Sequence, residues 1–463
     1  MTTRTERRSI ASEGRPARPR HAARRLALLL AALLPGCGTM NSLLPTFGGP
    51  PAVPLGTPGH VTGFLGGAAA EEPRGAIVAR EILSSGGSAV DAAVAGGFAL
   101  AVTLPSRAGL GGGGPGLVFS AGGREVEAVI FPAGARTELP PGTDRPAAVP
   151  MMARGLFLLH TRGGRLRFDQ LIRPAEDLAR FGTEISRVFA DDLAAVAAPL
   201  LNDPNARRVF GSPGGGPLRA GERITQLDLG ATLAQMRNGG VGELYQGPLS
   251  QRVAEASLLA GGGLTETDLR AGRAEATQPV RIAAGNDAVH FLPASADAGA
   301  GTAAAFQAAL AGSLPATGGP PVGAQAGLVT LDPQGNAVAC AFTMNNLFGT
   351  GRVLPEIGIL LAAAPSGSIP PAPLAAALAT NRDLRGFRAA SAGSGQQEAG
   401  AALGGALAAA LRRVAVADLF AAVPEPGRGM VISCPGYVPG STATCIGAAD
   451  PRGGGVAIGS FAR

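Results

Sequence analysis

The chain has 463 residues and a formal net charge of +6, a balance that would suggest a nucleic-acid partner if the charge were spread along it. It is not spread. Arg4, Arg7, Arg8, Arg15, Arg18, Arg20, Arg24 and Arg25, set against Glu6 and Glu13, give residues 1–36 the whole +6, so the remainder is about neutral and nothing basic is left for nucleic acid. Every basic residue is arginine, which together with the heavy use of alanine and glycine fits a GC-rich genome better than a function.

In chain order, the basic stretch Met1–Arg25 is followed by the unbroken apolar run Leu26–Leu34 and by "LPGC" at Leu34–Cys37. A basic stretch, a short apolar core and a small residue before a cleavage point make a secretory signal. The run is too short to span a bilayer, which takes about 20 residues. "LPGC" resembles a bacterial lipobox, which implies cleavage before Cys37, lipid on its sulfur and a periplasmic protein held on a membrane. An ordinary signal or short anchor with an incidental cysteine is the alternative. Residues 37–60 are rich in proline and glycine and read as a tether.

Beyond residue 60 the elements are mixed. Gly75–Ser84 predicts a helix, Gly86-Gly87 a break, and Ser88 the N-cap of a second helix with Asp91 in its first turn. "RAGLGGGGPGLVF" follows at 107–119. Its glycines Gly111, Gly112, Gly113 and Gly114 precede a strand rather than a helix, and no Gly-Lys-Ser/Thr is present. This argues against a phosphate loop and for close backbone packing or a cleft lining. A hairpin is expected at 116–131, and helical spacing recurs in "RFDQLIRPAEDLARFG" and "LDLGATLAQMRNGG". Strands return in "GMVISC", "TATCIGAAD" and "GGVAIGSF", with loops at 211–221, 315–323 and 365–373. Strands buried on both faces, interleaved with helices, predict sheets inside and helices outside.

The stretch "GAQAGLVTLDPQGNAVACAFTMNN" at 323–346 predicts a second hairpin. Asp332-Pro333-Gln334-Gly335 is a turn sequence, and a left-handed Gly335 sets Asp332 opposite Asn336. Counting outward, Gln325 faces Thr343 and Gly323 faces Asn345. Thr343 and Asn345 project to one face and put a hydroxyl and an amide beside position 325.

Of the cysteines beyond Cys37, Cys434 and Cys445 flank a ten-residue loop, and an exported protein meets oxidising conditions, so the two are expected to pair. Cys340 lies in an apolar strand and reads as core. His21, His60, His160 and His290 are too scattered for a recognisable zinc motif, and neither metal nor cofactor is expected.

The 323–346 hairpin resembles the start of the small subunit of γ-glutamyltranspeptidases, a family of N-terminal-nucleophile hydrolases. "EILSSGGSAVDAAVAGGFALAVTLPSRAGLGGGGPGLVF", "GRLRFDQLIRPAEDLARFGTEIS", "GGVGELYQGPLSQRVAEASLLAGGGLTETDLR", "DPQGNAVACAFTMNN" and "GAADPRGGGVAIG" resemble further blocks of that family in the right order. The resemblance implies an α+β fold, a four-layer αββα sandwich. A large-subunit-like part would span 61–324 and a small-subunit-like part 325–463. It also implies hydrolysis of glutathione, or transfer of its γ-glutamyl group, by a threonine that self-cleavage exposes at a new N-terminus.

That threonine falls at Gln325, whose amide has no nucleophilic oxygen, so a single uncleaved chain is expected. Ala326 and Gly327 follow where the family has Thr-His. The family's arginine for the glutamyl carboxylate becomes Pro132, with Arg136 four residues on. The acid for the α-amine is replaced near Gly367, a Ser-Ser pair by Ala375-Ala376 and an oxyanion Gly-Gly by Gln396-Gln397. Thr343 and Asn345 alone keep the pattern as candidate substrate-binding residues, with packing and polar satisfaction as the plainer role. The expectation is a non-catalytic homologue. The alternatives are an active γ-glutamyl hydrolase or transferase whose nucleophile has moved to Thr330 or Thr343, and a partner subunit of an active paralogue. The expected partners are a γ-glutamyl small molecule, such a paralogue and a membrane reached through the lipid anchor.

Overall fold

A computed structural model describes residues 53–463 except positions 124, 137, 298, 299, 315, 319, 320, 367, 382 and 463. The segment expected to be a signal, the expected lipidation site at Cys37 and the expected tether up to residue 52 lie outside the described residues, as does Gly367. No described helix is long and apolar enough to cross a membrane.

Strands β1 (Gly67–Ala70), β2 (Gly114–Ser120) and β3 (Glu125–Phe131) are followed by a small ribbon of β4 (Thr183–Glu184) and β5 (Arg223–Ile224). Next come β6 (Glu275–Thr277), β7 (Val280–Ala284), β8 (Asp287–Phe291), β9 (Gln325–Leu331) and β10 (Ala337–Thr343). The last are β11 (Ala375–Asn381), β12 (Gly386–Ser394), β13 (Arg428–Val438), β14 (Ile446–Ala449) and β15 (Val456–Gly459). One sheet has the order β15-β1-β9-β10-β2-β3-β6 and the other β14-β13-β12-β11-β8-β7. The paired neighbours are antiparallel.

Strand periodicity sorts the side chains into layers. In β9 and β10, Val329, Leu331, Ala337, Ala339 and Ala341 share one core with Leu378, Ala390 and Ile432 of the other sheet. Their alternates Ala326, Leu328, Val338, Cys340 and Phe342 share another with helices. The outer face of the second sheet packs Ala377 and Ala389 against Phe306 of α-helix Thr302–Leu310 and Leu403 of α-helix Ala399–Leu411. The architecture is the expected α+β sandwich, helix, sheet, sheet, helix. β9 lies between β1 and β10, so strands from both sides of residue 325 share one sheet.

Helices α1 (Pro73–Ser84) and α2 (Ala89–Thr103) cover the first sheet. Ser88 is the N-cap of α2, and it forms a reciprocal capping box with Asp91. All fifteen residues of α2 are buried, as an all-round apolar helix requires. Gly96 and Gly97 leave room for Leu328 and Leu156, whose side chains would lie 3.1 and 2.9 Å from added β-carbons. Thr442–Thr444, expected to begin a strand, is instead a 3-10 turn; the strand starts at Ile446, beyond the Cys434–Cys445 disulfide. Cys340 is buried, and burial pushes its thiol far above the usual range.

Glu72 caps α1. One carboxylate oxygen accepts the Arg74 and Gly75 N–H groups at 2.9 and 3.2 Å and the Thr103 hydroxyl at 2.6 Å. Burial still pushes its carboxyl up from 4.5 to about 6, against those donors. The folded state therefore holds the proton more tightly than the unfolded one. The resulting stability is full below pH 4.5 and is lost as pH rises through about 6. The loss amounts to about 2 kcal/mol. Urea unfolding at pH 4.5 and 7.5 should show this loss in the native protein and lack its share in Glu72→Gln; equal slopes would refute it.

Candidate functional site

The hairpin register is the one read from the turn: Ala337 pairs with Leu331 and Thr343 with Gln325. Gly335 has φ +89°, and the Asp332 N–H donates to the Asn336 carbonyl at 3.0 Å. Asp332, fully buried, fastens the turn by accepting the Gln334 and Asn336 N–H groups on one oxygen and the Asn336 amide and Ala89 N–H on the other. This anchors β9 at its far end and lets its first residue, Gln325, stand at the mouth between the sheets.

Gln325 is 1% exposed and both ends of its amide are in use. The oxygen accepts the Gln396 N–H at 2.9 Å, and the nitrogen donates to the Gln396 carbonyl at 3.2 Å. Gln396 follows β12 and Gly395, and both are left-handed, with φ +60° and +101°. A backbone N–H at such a turn is the kind of donor that could stabilise an oxyanion. Here the side chain at position 325 occupies it.

Thr343 and Asn345 sit beside Gln325 as expected, but as internal struts. The Thr343 hydroxyl donates to the Ala324 carbonyl at 2.7 Å and accepts the Asn345 N–H at 2.8 Å. The Asn345 amide donates to the Ala133 and Ala363 carbonyls at 2.7 and 2.8 Å. Thr330 lies on the opposite, helix-facing side of β9, fully buried, with its hydroxyl donating to the Ala89 carbonyl at 2.7 Å. Arg136 pairs with Asp268 at 2.6 Å and donates to the Gly262 carbonyl, while its buried Nε has no hydrogen-bond partner among the described residues. Ala376 packs between the sheets and Ala375 on the outer face, and neither offers a polar atom from its side chain.

The Gly111–Gly114 loop packs backbone against backbone. β-Carbons added there would lie 2.1 Å from the Leu360 oxygen, 2.3 Å from that of Thr343, 2.2 Å from that of Phe131 and 2.1 Å from that of Ala341. Gly113 and Thr343 exchange backbone hydrogen bonds of 3.1 and 2.8 Å. The loop thereby positions Thr343.

A charged network borders the same mouth. Glu71, at the end of β1, accepts the Ser394 hydroxyl at 2.9 Å and meets Arg107 at 3.3 Å. Arg107 grips Asp192 with two bonds of 2.8 and 2.7 Å, and the Ser106 hydroxyl donates to the same carboxylate at 2.7 Å. Burial pushes the Glu71 carboxyl up, and Arg107 works against that shift. Glu71, Arg107, Asp192, Gln325, Gln396 and Arg428 line a cleft of about 270 Å³. The sequence reading did not single out Glu71, Arg107 or Asp192. Their signal was charge in alanine- and glycine-rich surroundings, "AAAEEP", "PSRAG" and "FADDLAA". Among the described residues, no group of three or more His, Cys, Asp and Glu side chains is placed to hold a metal.

Residues 75–310, half of the chain, match the Gamma-glutamyltranspeptidase family model. The chain is 32% identical over 217 residues to the glutathione hydrolase proenzyme of Escherichia coli K12, covering 43% of this chain and 37% of that protein. To the glutathione hydrolase proenzyme of Bacillus subtilis 168 it is 31% identical over 220 residues, with the same shares. It thus spans little more than a third of the length of these curated relatives. The crystal structure of cephalosporin acylase from Bacillus halodurans superposes with a TM-score of 0.68, covering 85% of this chain and 96% of that one. At 17% identity, that likeness establishes the fold alone.

Proposed function

This chain belongs to the γ-glutamyltranspeptidase family, and from that premise we propose that it is a non-catalytic member, an exported lipoprotein that binds a ligand rather than cutting one. The observation that carries this reading is Gln325 at the place of the family's threonine, its amide closed on both backbone groups of Gln396. Self-cleavage needs a hydroxyl there to attack the preceding carbonyl, and without cleavage no free amine forms to act as base. The Ala324 carbonyl still receives a hydrogen bond from Thr343, but no hydroxyl is present at position 325 to attack it. The positions for glutamyl recognition, Pro132 and Ala375-Ala376, carry no side-chain charge or hydroxyl.

A chromogenic γ-glutamyl anilide tests the reading. The purified protein is expected to release no aniline above the rate seen with Gln325→Ala. Release that disappears in Thr343→Val would identify a relocated nucleophile and overturn the proposal.

A further inference from the structure

The backbone at 323–325 separates two clefts of different chemistry. Gly323, Ala324 and Gln325 line the charged one. On the other side, Ala372 abuts Gly323, where an added β-carbon would lie 2.5 Å from that of Ala372. Ala372, Thr343 and Asn345 belong to a second cleft of about 180 Å³. Its walls include Ile130, Pro132, Ala133, Pro365, Pro371 and Leu374, and among the described residues lining it none is charged.

Its buried polar groups are already satisfied. Thr343 donates to Ala324, and the Asn345 amide nitrogen serves two carbonyls while its oxygen receives the Ala372 N–H at 3.5 Å. Arg136, the residue after Ala135 of the cleft wall, is not among the lining residues and is paired with Asp268. An ammonium or carboxylate entering this space would give up its water and meet no countercharge among the described residues lining it, an unfavourable exchange. An apolar group loses nothing by entering. Cavities of roughly 150 Å³ with apolar walls accept a benzene ring.

We propose that this second cleft is a binding site for a small uncharged apolar group, an aromatic ring or an aliphatic chain of similar size. The inference rests on the reading that the region around position 325 binds a ligand. It replaces the charged γ-glutamyl group implied by the sequence resemblance with an apolar one.

The test is a saturation-transfer NMR titration of the full chain with benzyl alcohol and, separately, L-glutamine. Gly134 lines the cleft, and nothing lies within 4 Å of an added β-carbon there, so Gly134→Phe can fill the space without a clash at its root. Benzyl alcohol is expected to bind saturably, and at least tenfold more weakly to Gly134→Phe with an unchanged unfolding midpoint. Saturable glutamine binding that Gly134→Phe abolishes would overturn the proposal. So would benzyl alcohol binding that the variant leaves intact, or no saturable binding of either probe to folded protein. Turnover of a γ-glutamyl anilide would refute the non-catalytic reading yet leave this binding result standing, so the two failures are distinguishable.

Discussion

Replacing Arg107 with methionine is expected to lower the unfolding free energy by about 3–5 kcal/mol at pH 8. The size follows from what the substitution leaves behind. Glu71 and Asp192 are 3% and 5% exposed, and Arg107 is the cation bonded to both. Their remaining donors are hydroxyls, Ser394 on Glu71 and Ser106 on Asp192, which cannot balance two charges. Methionine would fill much of the volume, so the loss would report charge more than packing. Two further results separate the causes. Glu71→Gln together with Asp192→Asn should recover most of the loss in the Arg107→Met background. The penalty should also shrink toward pH 5, because Glu71, already raised by burial, rises further without Arg107 and takes up a proton. A penalty below 1 kcal/mol at pH 8 would show that the carboxylates are hydrated after all.

The second large effect is expected at Gly113. An alanine β-carbon there would lie 2.2 Å from the Phe131 oxygen and 2.8 Å from the Ala133 nitrogen. Both are backbone atoms, so relief requires moving β3 or the loop after it. Breaking the Gly113–Thr343 bridge is the other way to yield, and it disturbs the support of Ala324. Gly113→Ala should therefore cost about 3 kcal/mol or more. Gly122→Ala, at a hairpin tip with nothing within 4 Å, should stay within about 0.5 kcal/mol of the native protein in the same urea titration. Equal stability of the two variants would mean that the four glycines are not there for close approach.

What could be read from the sequence was local. The Asp332–Gly335 turn determined the pairing of Gln325 with Thr343 because hairpin register follows from turn type and strands alternate with period two. Ser88 and Asp91 announced a helix start by spacing alone. The strand expected after the glycine run is β2, and the close backbone packing expected of the run is present. What could not be read was long-range. Residues 71, 107, 192 and 394 meet only after the layers assemble, and charge in an alanine-rich stretch does not say which countercharge it will find. Arg136 illustrates the same limit: it lies four residues beyond Pro132 in sequence, and only the fold reveals its pairing with Asp268. The bond between Gln325 and Gln396 joins positions 71 apart, each noted in the sequence as a departure from the family pattern. Their contact joins two positions that the resemblance treats separately into one structural feature, a side-chain amide closed on a backbone N–H and carbonyl.

The measurement that bears most directly on whether this chain is a catalyst is the intact mass of the purified protein. A single mass, with Ala324 still joined to Gln325, is the expected result. Two fragments whose masses sum to that value plus one water would contradict the non-catalytic reading, and the N-terminal residue of the smaller one would name the nucleophile.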